Sequence, residues 1–455
     1  MDAEVQAKPS FISRLANLMD RFTGDKVIFL IALFLMMISV ISVFSSTPRL
    51  VDDAHGIDRV SIMVDQLKVV ALGFALIFSL YYFGKVEWYR KLSMLGFGAT
   101  FVILFILVTN LNLGFVKAGS INGARRILLV MGKQIHVYEL VKLFMIMYLG
   151  WALDTYKRGA FTLIPRIGAK FEKLSFLQSD YAQKICYIYL PILITTGMVM
   201  MGSNSSALFI GAIMVLMVLV GGIDVKDVGY VVGVLALLIA LMFGAYKAGW
   251  LKDSRIGTAI GRITQDDDAT MQILLDSPRE SEAWKQARGK LDQPVGALLA
   301  IKEGGVLGKG IGNSTQKYQV PVIFGDYMFS FIVEETGLWG AAILIILYFS
   351  LLARGTMLAK ECDKYYDKVI VTGLIILVTG QAFMHMAVNV HLPMVPQTGQ
   401  TLPLVSHGTN AFLVFSIVFG LLLSISKDAR ENMAKREAEI PPLLNENNWT
   451  QDITQ

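Results

Sequence analysis

Long apolar runs separated by short polar segments organise this chain. Runs able to cross about 30 Å of hydrocarbon fall at about 27–45, 69–84, 92–111, 137–153, 185–202, 207–222, 230–247, 327–352, 369–390 and 404–425. The pattern predicts an all-α polytopic membrane protein of about ten transmembrane helices. The fifth and sixth runs nearly meet across Gly202-Ser203-Asn204-Ser205-Ser206, residues suited to a tight turn. Ahead of the first run, in segment 1–26, Phe11, Ile12, Leu15, Met19 and Phe22 recur at helical spacing, which predicts an interfacial amphipathic helix. Segment 27–425 reads as the membrane domain. The remainder, 426–455, reads as a disordered tail, with Pro441-Pro442 and a polar end.

Lys and Arg set the orientation. Lys8, Arg14, Arg21 and Lys26 precede the first run, Lys85, Arg90 and Lys91 follow the second, and Lys157, Arg158, Arg166, Lys170, Lys173 and Lys184 follow the fourth. Arg354, Lys360, Lys364 and Lys368 follow the eighth, and Lys427, Arg430, Lys435 and Arg436 the last. Ten alternating spans put all of these on one side, so both termini are expected in the cytoplasm. Two loops of the other side depart from the pattern. One, between spans three and four, carries Lys117, Arg125, Arg126 and Lys133. The other is a large extracytoplasmic loop, 250–325, between spans seven and eight. A connection of that length is either functional or disordered. Its glycine-rich, apolar second half, Gly304 to Gly312, is expected to fold against the bundle.

Composition agrees with a bilayer. Hydrophobic residues make up 54% of the chain and charged residues 17%, against about a quarter in soluble domains. The net charge of +5 is accounted for by topology, so nucleic acid is not an expected partner. Cys186 and Cys362 stand far apart, and His136, His385, His391 and His407 show no helix-spaced pair. Neither a disulfide framework nor a His or Cys metal centre is predicted.

The candidate chemistry lies in charges near the bilayer. Asp326 stands at the edge of the eighth run, where a carboxylate is costly unless used or paired. Partial desolvation there would raise its pKa toward that of a general base; the plainer reading makes it the N-cap of the next helix. Glu139 and Lys142 share a helix face, as an internal ion pair or as the lining of a polar cavity. Glu334 and Glu335 raise the same question, and only one of two neighbours can face the bundle centre squarely. Arg125 and Arg126 could clamp a phosphate, with Arg255, Arg262 and Lys317 adding charge on the same side; solvated loop charges are the alternative.

Four elements together resemble the SEDS (shape, elongation, division and sporulation) family, whose best-known kinds are FtsW and RodA. S-I-N-G-A-R-R at 120–126 resembles the family's G-A-x-R-W, and E-L-V-K at 139–142 its Q-P-S-E-L-x-K. Residues 304–317, Pro321 and D-Y-M-F-S-F-I-V-E-E-T-G at 326–337 are similar to its longest signature. T-L-P-L-V-S-H-G at 401–408 is similar to its P-L-P-x-x-S-x-G-G. The chain departs from the pattern at His136-Val137-Tyr138, Val322, Gly296 and Thr409-Asn410.

The resemblance implies a peptidoglycan glycosyltransferase of the bacterial cytoplasmic membrane, joining lipid II units into glycan on the outer face. It leans toward the FtsW-like cell-division branch. It implies Asp326 as the catalytic base, with Arg125, Arg126, Lys317, Glu139, Lys142, Arg262 and Ser406 as substrate-binding candidates. It implies no resident cofactor, a divalent cation (Mg or Mn) as an optional aid, and a class B penicillin-binding protein as partner, beside other division or elongation membrane proteins and membrane lipids. A lipid II flippase and a non-catalytic division scaffold are the alternatives.

Overall fold

The computed structural model describes residues 22–51, 58–230 apart from 115 and 122–123, scattered positions from 232 to 278, and 281–439 apart from 393–394 and 396–397. The expected amphipathic helix before Phe22 and the run 230–247, for the most part, lie outside the described residues. So do Arg255, Arg262 and the tail beyond Glu439.

Helices α1 (Lys26–Ser46), α2 (Arg59–Phe83) and α3 (Val86–Thr109) lead into a three-stranded sheet, followed by α4 (Val137–Lys157) and the short α5 (Leu163–Lys170). Then come α6 (Asp180–Met200), α7 (Asn204–Val220), α8 (Glu282–Gly304), α9 (Met328–Glu361), α10 (Tyr365–Asn389) and α11 (Thr409–Glu439). Seven of these, α1, α2, α3, α6, α9, α10 and α11, are long and apolar enough to cross a membrane. Leu95, Phe83 and Ile346 stand 71%, 74% and 62% exposed on them, which suits a surface facing lipid rather than water. The chain is therefore a multi-pass membrane protein. Helix α4 carries Glu139, Lys142, Asp154 and Lys157. It can hold them because it packs inside, against α3, α7, α10 and α11. Helix α7 is shorter, at 17 residues. A count of ten spans remains the expectation from the apolar runs.

Contacts define the two ends of the bundle. At one, Asp25 caps α1 through Oδ1, which accepts from Val27 N and Ile28 N at 3.0 Å each. Its Oδ2 meets Arg354 of α9 and Arg430 of α11. A fully buried carboxylate is tolerable there because both oxygens are partnered. At the other end Ser45 of α1 donates to Glu335 of α9 at 2.6 Å, and Gln66 of α2 meets His407 Nδ1 at 3.1 Å.

Two findings depart from the sequence reading. The loop after α3 is not irregular. Val116–Ile121 (β1), Ala124–Val130 (β2) and Lys133–His136 (β3) form an antiparallel meander, with β2 in the centre. Helix α11 continues to Glu439, so 426–439, assigned to the tail, is helical. The segment 304–312 folds against the bundle as expected.

Candidate active site

Asp326 ends a four-residue helical turn, Ile323–Asp326, that starts from Val322 at φ 55°. A left-handed conformation is costly for a β-branched residue and persists where the surroundings impose it. Here the Val322 carbonyl accepts from both Gly325 N and Asp326 N at 3.0 Å. The turn is pinned from outside as well. Ser406 Oγ donates to Gly325 O at 2.7 Å, and Phe324 O accepts from His407 N at 2.9 Å.

The N-cap reading of Asp326 fails on geometry, because other residues perform that task. Asn389 Oδ1 accepts from Ser330 N at 2.9 Å, and His385 Nε2 accepts from Phe329 N at 3.2 Å. Two side chains of α10 thus cap α9 across the bundle. A peptide N–H can only donate, so His385 Nε2 is unprotonated and Nδ1–H donates to Gln400 O at 2.6 Å. Asn389 Nδ2 also holds the Asp326 carbonyl at 3.0 Å. Asn389 is not among the sequence candidates, and His385 enters there only as a histidine without a metal-ligand pair. Their one signal was a polar pair four residues apart, hence on one face, near the end of an apolar helix.

The Asp326 carboxylate itself has no hydrogen-bond or ion-pair partner among the described residues. It rests against Gly399, where an added Cβ would lie 2.5 Å from Oδ2. Burial pushes its pKa up to about 6, and the nearby positive charge of Arg126 opposes part of that rise.

Arg126 projects from β2 and donates through Nε to Gly202 O, at the turn between α6 and α7, at 3.3 Å. Gly202 in turn lines a groove of about 270 Å³ with Leu104, Leu107, Val108, Tyr138, Met198 and Met201. The site end of the bundle thus sets a carboxylate and a guanidinium beside an apolar groove. Arg125 lies on the same strand, its backbone paired with Ser120.

Glu139 and Lys142 form an ion pair at 2.8 Å. The buried ammonium also donates to Gln381 Oε1 at 2.6 Å, and Gln381 Nε2 reaches Thr401 O at 3.0 Å. The pair is therefore joined, through Gln381, to the segment that walls in Asp326. Glu139 Oε2 is buried without a partner among the described residues.

Two candidates take other roles. Lys317 is buried, donates to Gly312 O at 2.6 Å and pairs with Glu335 at 3.7 Å. Its charge neutralises an internal glutamate and is not presented to a ligand. Ser406 is buried, accepting from Leu402 N at 2.9 Å while donating to Gly325 O; it positions the turn. Glu334 and Glu335 are both engaged in the fold. Glu334 accepts from Lys309 Nζ and Thr315 N, and Glu335 from Ser45 Oγ and Gly312 N. Among the described residues no group of three His, Cys, Asp or Glu side chains could hold a metal ion. A divalent cation here would take most of its ligands from phosphate and water.

Fold and site define a helical multi-pass membrane protein with a polar site at one end of the bundle. The model of the FtsW/RodA/SpoVE family, described as cell cycle protein, matches residues 25–431, and the chain belongs to that family. It is 23% identical to the "Probable peptidoglycan glycosyltransferase FtsW" of Geobacter metallireducens over 416 residues, covering 90% of this chain and 96% of that protein. A protein of the same name from Thioalkalivibrio sulfidiphilus is 25% identical over 423 residues, with 92% of each covered. Among solved structures, the rod shape determining protein RodA of Thermus thermophilus superposes with a TM-score of 0.56 at 21% identity, covering 90% of this chain and 98% of that one. A chain from a study of polymerisation and crosslinking by a peptidoglycan synthase complex gives 0.61 at 21% identity, with 89% and 98% covered.

Proposed function

We propose that this protein is an inverting peptidoglycan glycosyltransferase that polymerises lipid II. The observation carrying the proposal is Asp326, a partly buried carboxylate held by its backbone, relieved of capping and without a partner among the described residues. Its oxygen would take the proton of the acceptor hydroxyl as that oxygen attacks the anomeric carbon of the donor. The bond from that carbon to the pyrophosphate breaks, and the pair of electrons leaves with the phosphate. Arg126, with Arg125 on the same strand, would balance the charge that develops there. A single displacement inverts the sugar and needs no covalent intermediate. The apolar groove under Gly202 suits a polyprenyl chain.

In this reading the Asp326 end of the bundle is extracytoplasmic, both termini are cytoplasmic and the membrane is the bacterial inner membrane. The partner is a class B penicillin-binding protein of division or elongation. Cysteine labelling at Lys285→Cys from the cytoplasm alone would overturn that topology. A flippase would favour paired broken helices. Among the described residues α9 carries a break inside a long span, at Gly337, and the gap is filled by 305–310. A scaffold gives no reason for an acid buried without a partner among the described residues.

The test is polymerisation of purified lipid II by the purified protein, with its partner present. Asp326→Asn preserves shape and should insert and bind the partner normally. As a lost general base it should cost about 10²–10⁴-fold in rate. Near wild-type turnover at matched protein level would remove Asp326 from the chemistry.

A further inference from the structure

A second cavity lies toward the other end of the bundle, between α3, α4 and α6. It measures about 600 Å³, within the roughly 300–1,000 Å³ of small-molecule sites. Its walls are aromatic. Phe161 and Tyr187 stack at 3.9 Å and 2°, and Trp151 sets its edge against them at 6.1 and 6.4 Å. The rim residues Phe101, Met94, Leu190 and Ile194 are exposed, so the cavity opens sideways, where the bilayer lies.

Three observations show that this is more than loose packing. First, Thr155 lines the cavity, is 5% exposed, and its hydroxyl has no partner among the described residues. A buried hydroxyl without a partner costs free energy. Second, α6 makes a π turn at Ile185–Tyr189, a feature frequent at functional sites. Cys186 and Tyr187 of that turn form part of the wall, and Tyr148 donates its hydroxyl to Tyr187 O at 2.9 Å. Third, charge stands at the mouth. Leu163 of the lining begins α5, which carries Arg166 and Lys170 one turn apart, both exposed. Among the neighbouring cations, Arg90 and Arg158 meet Asp154, and Lys184 meets Asp180 and Asp227. Arg166 and Lys170 have no carboxylate partner among the described residues.

We propose that this groove is a binding site for an anionic phospholipid of the leaflet remote from Asp326. One acyl chain lies among the rings, the Thr155 side chain turns to donate its hydroxyl to an ester oxygen, and the phosphate meets Arg166 and Lys170. Short amphipathic α5 is tied to the groove by Ile164 N donating to the Tyr187 hydroxyl at 3.0 Å, so its cations are held at a fixed place above the chain. The site is independent of the polymerase reading, and so is its test.

The test is native mass spectrometry of the delipidated full chain in detergent, titrated with phosphatidylglycerol or phosphatidylcholine of identical chains. One phosphatidylglycerol should be retained per protein, about tenfold more tightly than phosphatidylcholine, since each surface cation contributes to anionic lipid attraction. Arg166→Gln with Lys170→Gln, both on exposed positions, should abolish that preference and leave phosphatidylcholine binding unchanged. Thr155→Val should weaken both lipids alike. Brominated acyl chains should quench tryptophan fluorescence in the wild type, and Trp151→Phe should reduce that quenching to the share of the five other tryptophans, Trp88 and Trp339 being exposed. Equal retention of the two lipids by the wild type, a preference surviving the double substitution, or quenching unaffected by Trp151→Phe would each overturn the proposal.

Discussion

Gly399 and Asp326 touch backbone to carboxylate: a Cβ on Gly399 would lie 2.5 Å from Oδ2 and 2.8 Å from the carboxyl carbon. The bare glycine is what lets the acid sit where it does. Behind it, Gln400 O is held by His385, and Thr401 by Gln381, so the wall has little room to retreat. Gly399→Ala should therefore displace the carboxylate while the bundle folds. A misplacement of about 1 Å can cost on the order of 10²-fold in rate. Polymerisation at matched protein level, with thermal stability as control, checks this; an unimpaired rate would show that the wall yields.

The protonation of Asp326 gives a second prediction. A base must be deprotonated, and burial raises this one to about 6. The polymerisation rate should rise with pH through about 6 and level off above it, falling about tenfold per unit on the acid side. Arg126 favours the charged form, so Arg126→Ala should move the limb to higher pH as well as slow the reaction. Arg126→Lys should restore the position of the limb more fully than the rate, because an ammonium lacks the paired geometry. A limb that stays in place in Arg126→Ala would mean the two groups do not interact.

The Glu139–Lys142 pair supports the site at one remove. Lys142→Met leaves Glu139 in a buried setting and frees Gln381. Removing one partner of a buried pair costs roughly 3–5 kcal/mol, so folded yield should drop. Glu139→Gln leaves the more deeply buried ammonium with only neutral acceptors and should also lower folded protein sharply. Thermal shift in detergent compares them, and equal stability of Lys142→Met and wild type would refute a structural role.

Much of this was legible in the sequence, because a bilayer penalises polar residues so strongly that spans announce themselves. Nine of the apolar runs coincide with described helices, α4 included, despite its charges. Asp326 stood out for the same reason. The meander at 116–136 did not, since only its charges stand out in the sequence and its register depends on pairing between strands. The sequence position of Lys317 gives its side of the membrane but not its partner; the ammonium turns inward to Glu335. Asn389 and His385 were hidden by distance, as caps supplied from another helix leave no signature near the helix they cap.

Glycine at 308 has φ 77°, and a Cβ there would run into the Glu335 carbonyl. Gly308→Ala should lower stability markedly, by more than the ~1 kcal/mol typical of a substitution, and reduce activity only in proportion to folded protein. Specific activity falling further than that would bring this segment into the chemistry.

The same crossing governs how the chain is made. Gly337 breaks α9, so Leu338 N donates to Gly305 O while Glu334 O and Glu335 O accept from Lys309 N and Gly310 N. A helix of 34 residues is thereby completed by backbone from about thirty residues earlier. The ribosome delivers 305–310 first, and water holds these groups until 334–338 arrives. Exchanging that water for backbone partners ties loop and helix to each other, so neither end of the junction can be completed before both have been made.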